Sequence, residues 1–102
     1  MRAIIPSKGK DMKLEFYINP ETGDRHIHDH NVFEKEIKEA FNNFHLWEQR
    51  KDGSFIMYSK LQNGRYLKII YRKLNKSLYF IITAFDLKEQ FLIDLLDKEV
   101  NE

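Results

Sequence analysis

The clearest strand pattern in the chain lies in SFIMYSKLQNGRYLKIIYRKLNKSLYFIITAF, residues 54–85. Three runs within it, residues 54–61, 65–72 and 77–85, are rich in β-branched and aromatic residues and tend toward a period of two, as strands do. The breaks between them, QNG and LNK, are typical of hairpin turns. LWEQR at 46–50, followed by the turn KDG, adds a fourth strand. Because hairpins join neighbouring strands, the sequence predicts a four-stranded antiparallel meander.

A strand and a helix precede this meander. MKLEFYI, residues 12–18, alternates in part and stops at a turn containing proline and glycine, which predicts a first strand. NVFEKEIKEAFNNF, residues 31–44, has apolar residues three and four apart, which predicts an amphipathic helix. Asn31, with Glu34 three residues later, provides an N-cap and the partner of a capping box. We therefore expect this helix to begin immediately after His30.

A second helix follows the meander, DLKEQFLIDLLDKEV at residues 86–100. Asp86 and Glu89 are its expected capping residues. Four apolar residues are expected to face inward: Leu87, Phe91, Leu95 and Leu96. The order N-terminal strand, helix, four-stranded antiparallel meander and C-terminal helix predicts an α+β fold, a sandwich with the helices on one face of the sheet.

Size and composition set the class of protein. At 102 residues the chain forms one domain, residues 1–102, of which 1–11 are expected to be flexible. It contains no cysteine, which excludes disulfides, thiolate metal sites and a cysteine nucleophile. No apolar run approaches the roughly 20 residues of a membrane span, and the first residues lack the apolar core of a signal peptide. We therefore expect a soluble, cytoplasmic protein.

The net charge of +1 conceals an uneven distribution. Residues 50–76 hold eight Lys and Arg against Asp52 alone, a net charge of +7. Basic groups attract phosphates and aromatic rings stack on unpaired bases, so this stretch suits single-stranded RNA. A solvated outer face of the sheet would carry the same residue types. The residues expected to bind RNA are Tyr58, Lys60, Tyr66, Lys68, Tyr71 and Arg72.

Three of the four histidines stand two residues apart in DRHIHDHNV, residues 24–32. On an extended segment, His26, His28 and His30 would point the same way and suit a metal, but a small zinc site needs a fourth ligand, and His45 is the only other histidine. Proton transfer is the second interpretation, because a helix N-terminus just after His30 would keep that imidazole neutral and able to act as a general base. A polar turn without chemistry is the third.

The pieces FYINPETGDRHIHDHNVFEKEIKEAF, RKDGS, NGRYLKIIY and FIITAFDL resemble, in this order, a group of small bacterial proteins similar to the BrnT-like toxins of the RelE superfamily. The family's PHI..HGV segment corresponds to residues 25–32, its GRYLKV strand to 64–69 and its ITAY to 82–85. The resemblance implies a compact α+β ribonuclease fold. It also implies a type II toxin that cleaves RNA without metal or cofactor, and a small antitoxin partner.

The resemblance implies RNA cleavage without metal. This reaction needs a base for the 2′-hydroxyl, an acid for the leaving oxygen and cations around the phosphate. His26 or His30 are the acid/base candidates, with neither role assigned to one of them, and Arg65, whose planar fork binds oxygens in pairs, is the expected phosphate ligand. KLQNG replaces the GxT of many relatives, and an acidic C-terminus replaces their arginine-rich tail. These departures leave open a catalytically inactive member that binds protein or nucleic acid, and a metal-dependent hydrolase is a further alternative. The C-terminal helix is a candidate surface for a homodimer or an antitoxin.

Overall fold

A computed structural model describes residues 2–4 and 12–100 of the protein. The elements in these residues are β1 (Arg2–Ile4), β2 (Lys13–Phe16), a 3₁₀ helix (His26–His30), α1 (Glu34–Asn42), β3 (His45–Gln49), β4 (Phe55–Lys60), β5 (Tyr66–Lys73), β6 (Leu78–Asp86) and α2 (Gln90–Val100). The predicted α+β class and the order of strand, helix, meander and helix are confirmed. Of the stretch expected to be flexible, 1–11, residues 2–4 form β1 and the rest lies outside the described residues.

The sheet has the strand order β1-β3-β4-β5-β6-β2. Strands β3 to β6 pair antiparallel with their sequence neighbours, so the predicted meander is present. At the two edges, β1 lies antiparallel to β3 and β2 lies parallel to β6. β2 pairs only with residues 78–81 of β6, and no described strand pairs with the rest of that edge. We call this part, which lacks a partner strand, the uncovered edge of β6. The 3₁₀ helix packs against β6 there, with the His30 ring beside Phe85.

Each face of the sheet buries its own apolar layer. Side chains alternate along β4, so Met57 belongs to the layer that also holds Ile37 and Phe41 of α1, whereas Tyr58 belongs to the layer that holds Leu92 of α2. The two helices therefore lie on opposite faces of the sheet. The expectation that both lie on one face is wrong, because the meander is apolar on both sides and each side needs a cover.

A β-bulge in β6 determines which of its side chains face which helix. Consecutive residues of β5 pair with Thr83 and Ile81, which leaves Ile82 as an extra residue. Ile81 and Ala84 are consequently both buried in the layer under α1, although three residues separate them. Thr83 and Phe85 therefore point to the other side of the sheet, next to the uncovered edge of β6.

The first helix begins later than predicted. Asn31 is not its N-cap but ends the 3₁₀ helix in the left-handed conformation, with φ of 57°, which asparagine tolerates better than most residues. Phe33 is the N-cap, and its backbone N–H donates to the carboxylate of Glu36 at 3.0 Å. The prediction that the helix starts immediately after His30 is wrong because HIHDH forms a short helix of its own.

The C-terminal helix α2 begins at Gln90. The backbone N–H groups of Leu92 and Ile93, in its first turn, donate to the carbonyl of Glu89. Asp86, expected to cap this helix, is the last residue of β6. Phe91 and Leu95 are exposed, not inward-facing, because α2 packs on the sheet through the neighbouring stripe that contains Leu92 and Leu96. The inward positions are Leu87 and Leu96, as predicted, and Leu92. No helix in the described residues is long and apolar enough to cross a membrane.

Candidate functional site

An open cleft of about 660 Å³ lies at the uncovered edge of β6. Its walls come from the 3₁₀ helix, the residue after it, the end of β6 and the loop before α2. The lining residues are His26, His30, Asn31, Thr83, Phe85, Asp86, Lys88 and Glu89. Two of the three residues predicted to be catalytic, His26 and His30, therefore share one cleft.

The 3₁₀ helix places the two cleft histidines side by side. Both side chains line the cleft, and the rings of His26 and His30 meet nearly edge to face with centroids 5.3 Å apart. Ile27, between them in sequence, is 1% exposed and anchors the helix in the core. The same helix directs His28 away from the cleft, toward Asp24.

A carboxylate stands behind His26. The Oδ2 atom of Asp29 lies 3.1 Å from Nδ1 of His26, and Asn19 donates a hydrogen bond to the same oxygen at 2.9 Å. A carboxylate beside Nδ1 favours a proton on that nitrogen and leaves Nε2 as the basic atom of the ring. Among the described residues, Nε2 of His26 has no hydrogen-bond partner. His26 therefore has the arrangement of a histidine base with an orienting carboxylate.

Arg65 holds the end of the 3₁₀ helix in place. Its Nη1 and Nη2 atoms donate to the backbone carbonyls of Asn31 and His30 at 2.7 and 3.3 Å. The same guanidinium donates to the carboxylates of Glu36 at 3.0 Å and Asp86 at 2.8 Å. Burial opposes its charge, but the bonds to Asp86 and Glu36 raise the pKa of Arg65 above its usual value. Because these donors face protein acceptors, Arg65 positions His30 and is not a free phosphate ligand.

Most charges around the cleft are paired with one another. The Glu89 carboxylate lies 3.5 Å from Nζ of Lys68, and Asp86 is bound by Arg65. Lys88 differs, because among the described side chains it has neither an ion pair nor a hydrogen bond. Its ammonium group is therefore available to an anion that enters the cleft.

Four of the six residues predicted to bind RNA lie beneath or beside α2. Tyr58 is buried, and desolvation raises its pKa to about 12. Asp97 of α2 accepts hydrogen bonds from Nζ of Lys60 at 3.0 Å and from the hydroxyl of Tyr66. Lys68 pairs with the residue before α2, Glu89. These side chains therefore hold α2 on the sheet and do not present an open cationic face.

The remaining two predicted RNA-binding residues lie elsewhere. Tyr71 is buried in the layer under α1 against Phe41 and Tyr79, and this burial raises its pKa above the usual value. Arg72 lies toward the other end of β5, where its Nη1 donates to the backbone carbonyl of Asp52 at 3.1 Å. The fold thus brings four of the six predicted RNA-binding residues together at α2 and places the other two elsewhere.

His28 bridges two carboxylates on the far side of the 3₁₀ helix. Its Nδ1 lies 2.9 Å from both carboxylate oxygens of Asp24, and its Nε2 lies 2.8 Å from Oε1 of Glu34. A ring that meets a carboxylate at each nitrogen needs a proton on both nitrogens. The hydrogen bond to Glu34, followed by that to Asp24, raises the pKa of His28 above its usual value. The side chain therefore links Asp24 to Glu34, and we call these three residues the clasp.

We expect this clasp to make stability depend on pH. The raised pKa of His28 means that its contribution is complete below about pH 6.5 and is lost as the pH rises through the folded value. The hydrogen bond from His28 is the main cause that lowers the pKa of Asp24. For Glu34, burial acts to raise the pKa, but the hydrogen bonds outweigh it, so the pKa is lowered as well. These two carboxylates contribute above about pH 4.5, and their contribution is lost as the pH falls.

The melting temperature of His28→Gln should therefore fall further below that of the wild type at about pH 5.5 than at about pH 8.5. Thermal unfolding followed by circular dichroism at both values measures the two differences. Equal differences would show that the clasp carries no pH-dependent stability.

The three histidines of HIHDH do not converge on one point. His26 and His30 face the cleft, while His28 faces Asp24 and Glu34. The segment is helical, so the premise that an extended chain points all three the same way is wrong. Within the described part of the chain, no group of three or more His, Asp or Glu side chains is arranged to hold a metal ion.

The chain matches no protein-family model, no curated protein and no solved structure. The resemblance to the BrnT-like toxins therefore stays a prediction.

Sequence reasoning missed three residues of this site. Asp29 stands three residues after His26, a spacing that brings the two together in a helical turn, and the sequence alone does not show that HIHDH is helical. Phe85 faces the cleft only because of the bulge in β6, which no sequence pattern signals. Lys88 was one charge among many in an acidic C-terminus.

Proposed function

We propose that the chain is a metal-independent endoribonuclease whose reaction takes place in the cleft. His26, oriented by Asp29, removes the proton of a ribose 2′-hydroxyl, and the 2′-oxygen attacks the adjacent phosphorus. The bond between phosphorus and the 5′-oxygen breaks, and His30, as the acid, gives that oxygen a proton. The products are a 2′,3′-cyclic phosphate and a 5′-hydroxyl. One histidine gains a proton and the other loses one, so the step is balanced without an external oxidant or reductant.

The observation that carries this proposal is the contact between two histidines in an open cleft, one of them backed by a carboxylate. An imidazole pair can supply both a base and an acid to one phosphodiester. Asp29 stabilises the imidazolium that forms on His26 when the 2′-proton arrives. Lys88, unpaired among the described side chains, supplies positive charge to the phosphate oxygens as negative charge develops on them.

The biological role that we propose is that of a toxin in a type II toxin–antitoxin system. The resemblance of the segment 16–87 to the BrnT-like toxins supports this role. A toxin of this kind acts on RNA in the cytoplasm and is neutralised by a small antitoxin protein. Phe91 and Leu95, both exposed on α2, are available to such a partner or to a second copy of the chain.

Expression in a bacterium tests this proposal. The chain is placed under a tightly repressed promoter, and new RNA 5′ ends are mapped after induction, beside His26→Gln. We expect growth arrest and new 5′ ends for the wild type, and neither for the variant, because the base of the reaction is missing. The His28→Gln variant is a matched control, since His28 lies outside the cleft. Healthy growth and unchanged RNA, with soluble wild-type protein confirmed, would contradict the proposal.

A non-catalytic binding module of the same fold is the second candidate. It is favoured by the pairing of the basic residues, since Lys60, Lys68 and Arg65 all contact carboxylates of the chain itself. Such a module would bind its partner in the cleft or on α2 without changing RNA. Binding of RNA or an antitoxin by a wild-type protein that cleaves no RNA would favour this candidate over the nuclease.

A further inference from the structure

Four rings form a continuous row across the cleft and its rim. Tyr17 meets His26 edge to face with ring centroids 6.0 Å apart. His26 meets His30 at 5.3 Å, and His30 meets Phe85 at 5.7 Å. The proposed acid and base thus occupy the middle of the row, and an aromatic ring without a role in proton transfer stands at each end. Nζ of Lys68 lies 5.7 Å from the centre of the Phe85 ring.

The backbone fixes both ends of this row to the sheet. The N–H of Tyr17 donates to the carbonyl of Ile81 at 2.8 Å, and the carbonyl of Tyr17 accepts from the N–H of His26 at 2.9 Å. Phe85 belongs to β6 and pairs with Lys68 on β5. Because the sheet holds the backbone at both ends of the row, little backbone entropy is lost when a ligand stacks on the rings.

The exposure of Tyr17 marks it as available to a ligand. It is 43% exposed, and its hydroxyl has no hydrogen-bond partner among the described residues. Exposed aromatic rings beside a phosphate-binding group are the usual platform for unpaired bases, because every base has a face on which a ring can stack. Because the two histidine rings lie between Tyr17 and Phe85 in this series of contacts, each aromatic ring would stack on a separate base, and the two bases would not stack on each other.

We infer that Tyr17 and Phe85 stack on the two bases that flank the scissile phosphate, so that the substrate is a single-stranded RNA with splayed bases. The position of the scissile phosphate at the histidine pair rests on the proposed function. A duplex does not fit this arrangement, because its bases are paired and stacked on one another. The residues that we expect to contact the bases therefore lie at the rim of the cleft, and not on the strands under α2 that the sequence pattern indicated.

Binding measured without catalysis tests this inference. The probe is a 2′-deoxy oligonucleotide, which lacks the attacking hydroxyl, carrying 2-aminopurine, whose fluorescence falls when it stacks. We expect the wild type to quench the single strand and not the annealed duplex. Tyr17→Leu should raise the Kd roughly tenfold, while Tyr17→Phe, which keeps the ring, stays near the wild type. Phe91→Leu removes an exposed ring outside the cleft and is the matched control.

The outcomes separate this inference from the proposed nuclease activity. Equal Kd values for the wild type, Tyr17→Leu and Phe85→Leu, with all three folded by circular dichroism, would overturn the stacking. Equal affinity for the duplex would overturn it as well. If quenching depends on both rings but the matching ribo-oligonucleotide is not cleaved, the stacking stands and the nuclease is rejected. Phe85→Leu keeps the test decisive if Tyr17→Leu does not fold.

Discussion

Replacing His26 by glutamine is expected to slow RNA cleavage by a factor of roughly 10² to 10⁴, the usual contribution of a general base. Glutamine keeps a polar side chain of similar reach but cannot take the 2′-proton. The rate is measured with a labelled single-stranded RNA at saturating enzyme, so that it reports the chemical step and not binding. Because the base acts in the transition state, the affinity for the 2′-deoxy oligonucleotide should change little.

Two companion variants sharpen this result. Asp29→Asn should also slow cleavage, since the amide no longer stabilises the imidazolium of His26. His28→Gln should cleave at the wild-type rate once folded, because its ring faces Asp24 and Glu34 and not the cleft. If His26→Gln and His28→Gln cleave equally fast, the assignment of the base to the cleft is wrong.

Replacing Arg65 by methionine is expected to lower the free energy of unfolding by about 2–3 kcal/mol. The substitution leaves the Glu36 carboxylate, whose side chain is only 11% exposed, without its cation, and it leaves the carbonyls of Asn31 and His30 without their donor. For a domain of about 100 residues this corresponds to a fall in Tm of roughly 10–20 °C. Urea unfolding at pH 7 measures the loss directly.

A double-mutant cycle with Glu36→Gln shows whether the contact is the cause. The two residues share hydrogen bonds at 3.0 and 3.1 Å, so the loss for Arg65→Met should be clearly smaller in the Glu36→Gln background. Arg72→Met is a control of the same chemistry, because Arg72 is more exposed and pairs loosely with Asp52 at 3.7 Å. Full stability of Arg65→Met would mean that the guanidinium is free to serve as the predicted phosphate ligand.

The meander could be predicted from sequence because its information is local. Alternating apolar residues, and turns such as QNG with Gly64 at a φ of 91°, specify each hairpin within a few residues. The layers could not be predicted in the same way. Both faces of the meander are apolar, so the sequence does not say which helix covers which face. The orientation of α2 on the sheet then determines that Leu92, and not Phe91, is buried.

The site was predictable only in part, for related reasons. His26 and His30 were identified by residue type and by the resemblance, and they do line one cleft. Their neighbours depend on backbone geometry that spacing alone does not reveal. The 3₁₀ turn brings Asp29 to His26, and the bulge at Ile82 turns Phe85 toward the cleft.

Arg65 shows that the partners of a charged side chain could not be predicted from the sequence either. The sequence shows a basic residue in a basic stretch, but the acceptors that occupy it come from α1, the 3₁₀ helix and the end of β6. Lys60 and Lys68 are likewise satisfied by Asp97 and Glu89, which lie far away in sequence. Charge patterns therefore indicated which residues interact with anions but not whether those anions belong to the chain itself.

The most direct test of the account is the chemical identity of the RNA ends that the purified chain produces. A single-stranded RNA is incubated with the protein in excess chelator, and the fragments are analysed by mass spectrometry. We expect 2′,3′-cyclic phosphate and 5′-hydroxyl ends, formed by the wild type and lost in His26→Gln. Intact RNA in the presence of folded protein, or cleavage that stops in chelator and returns with added metal, would contradict it.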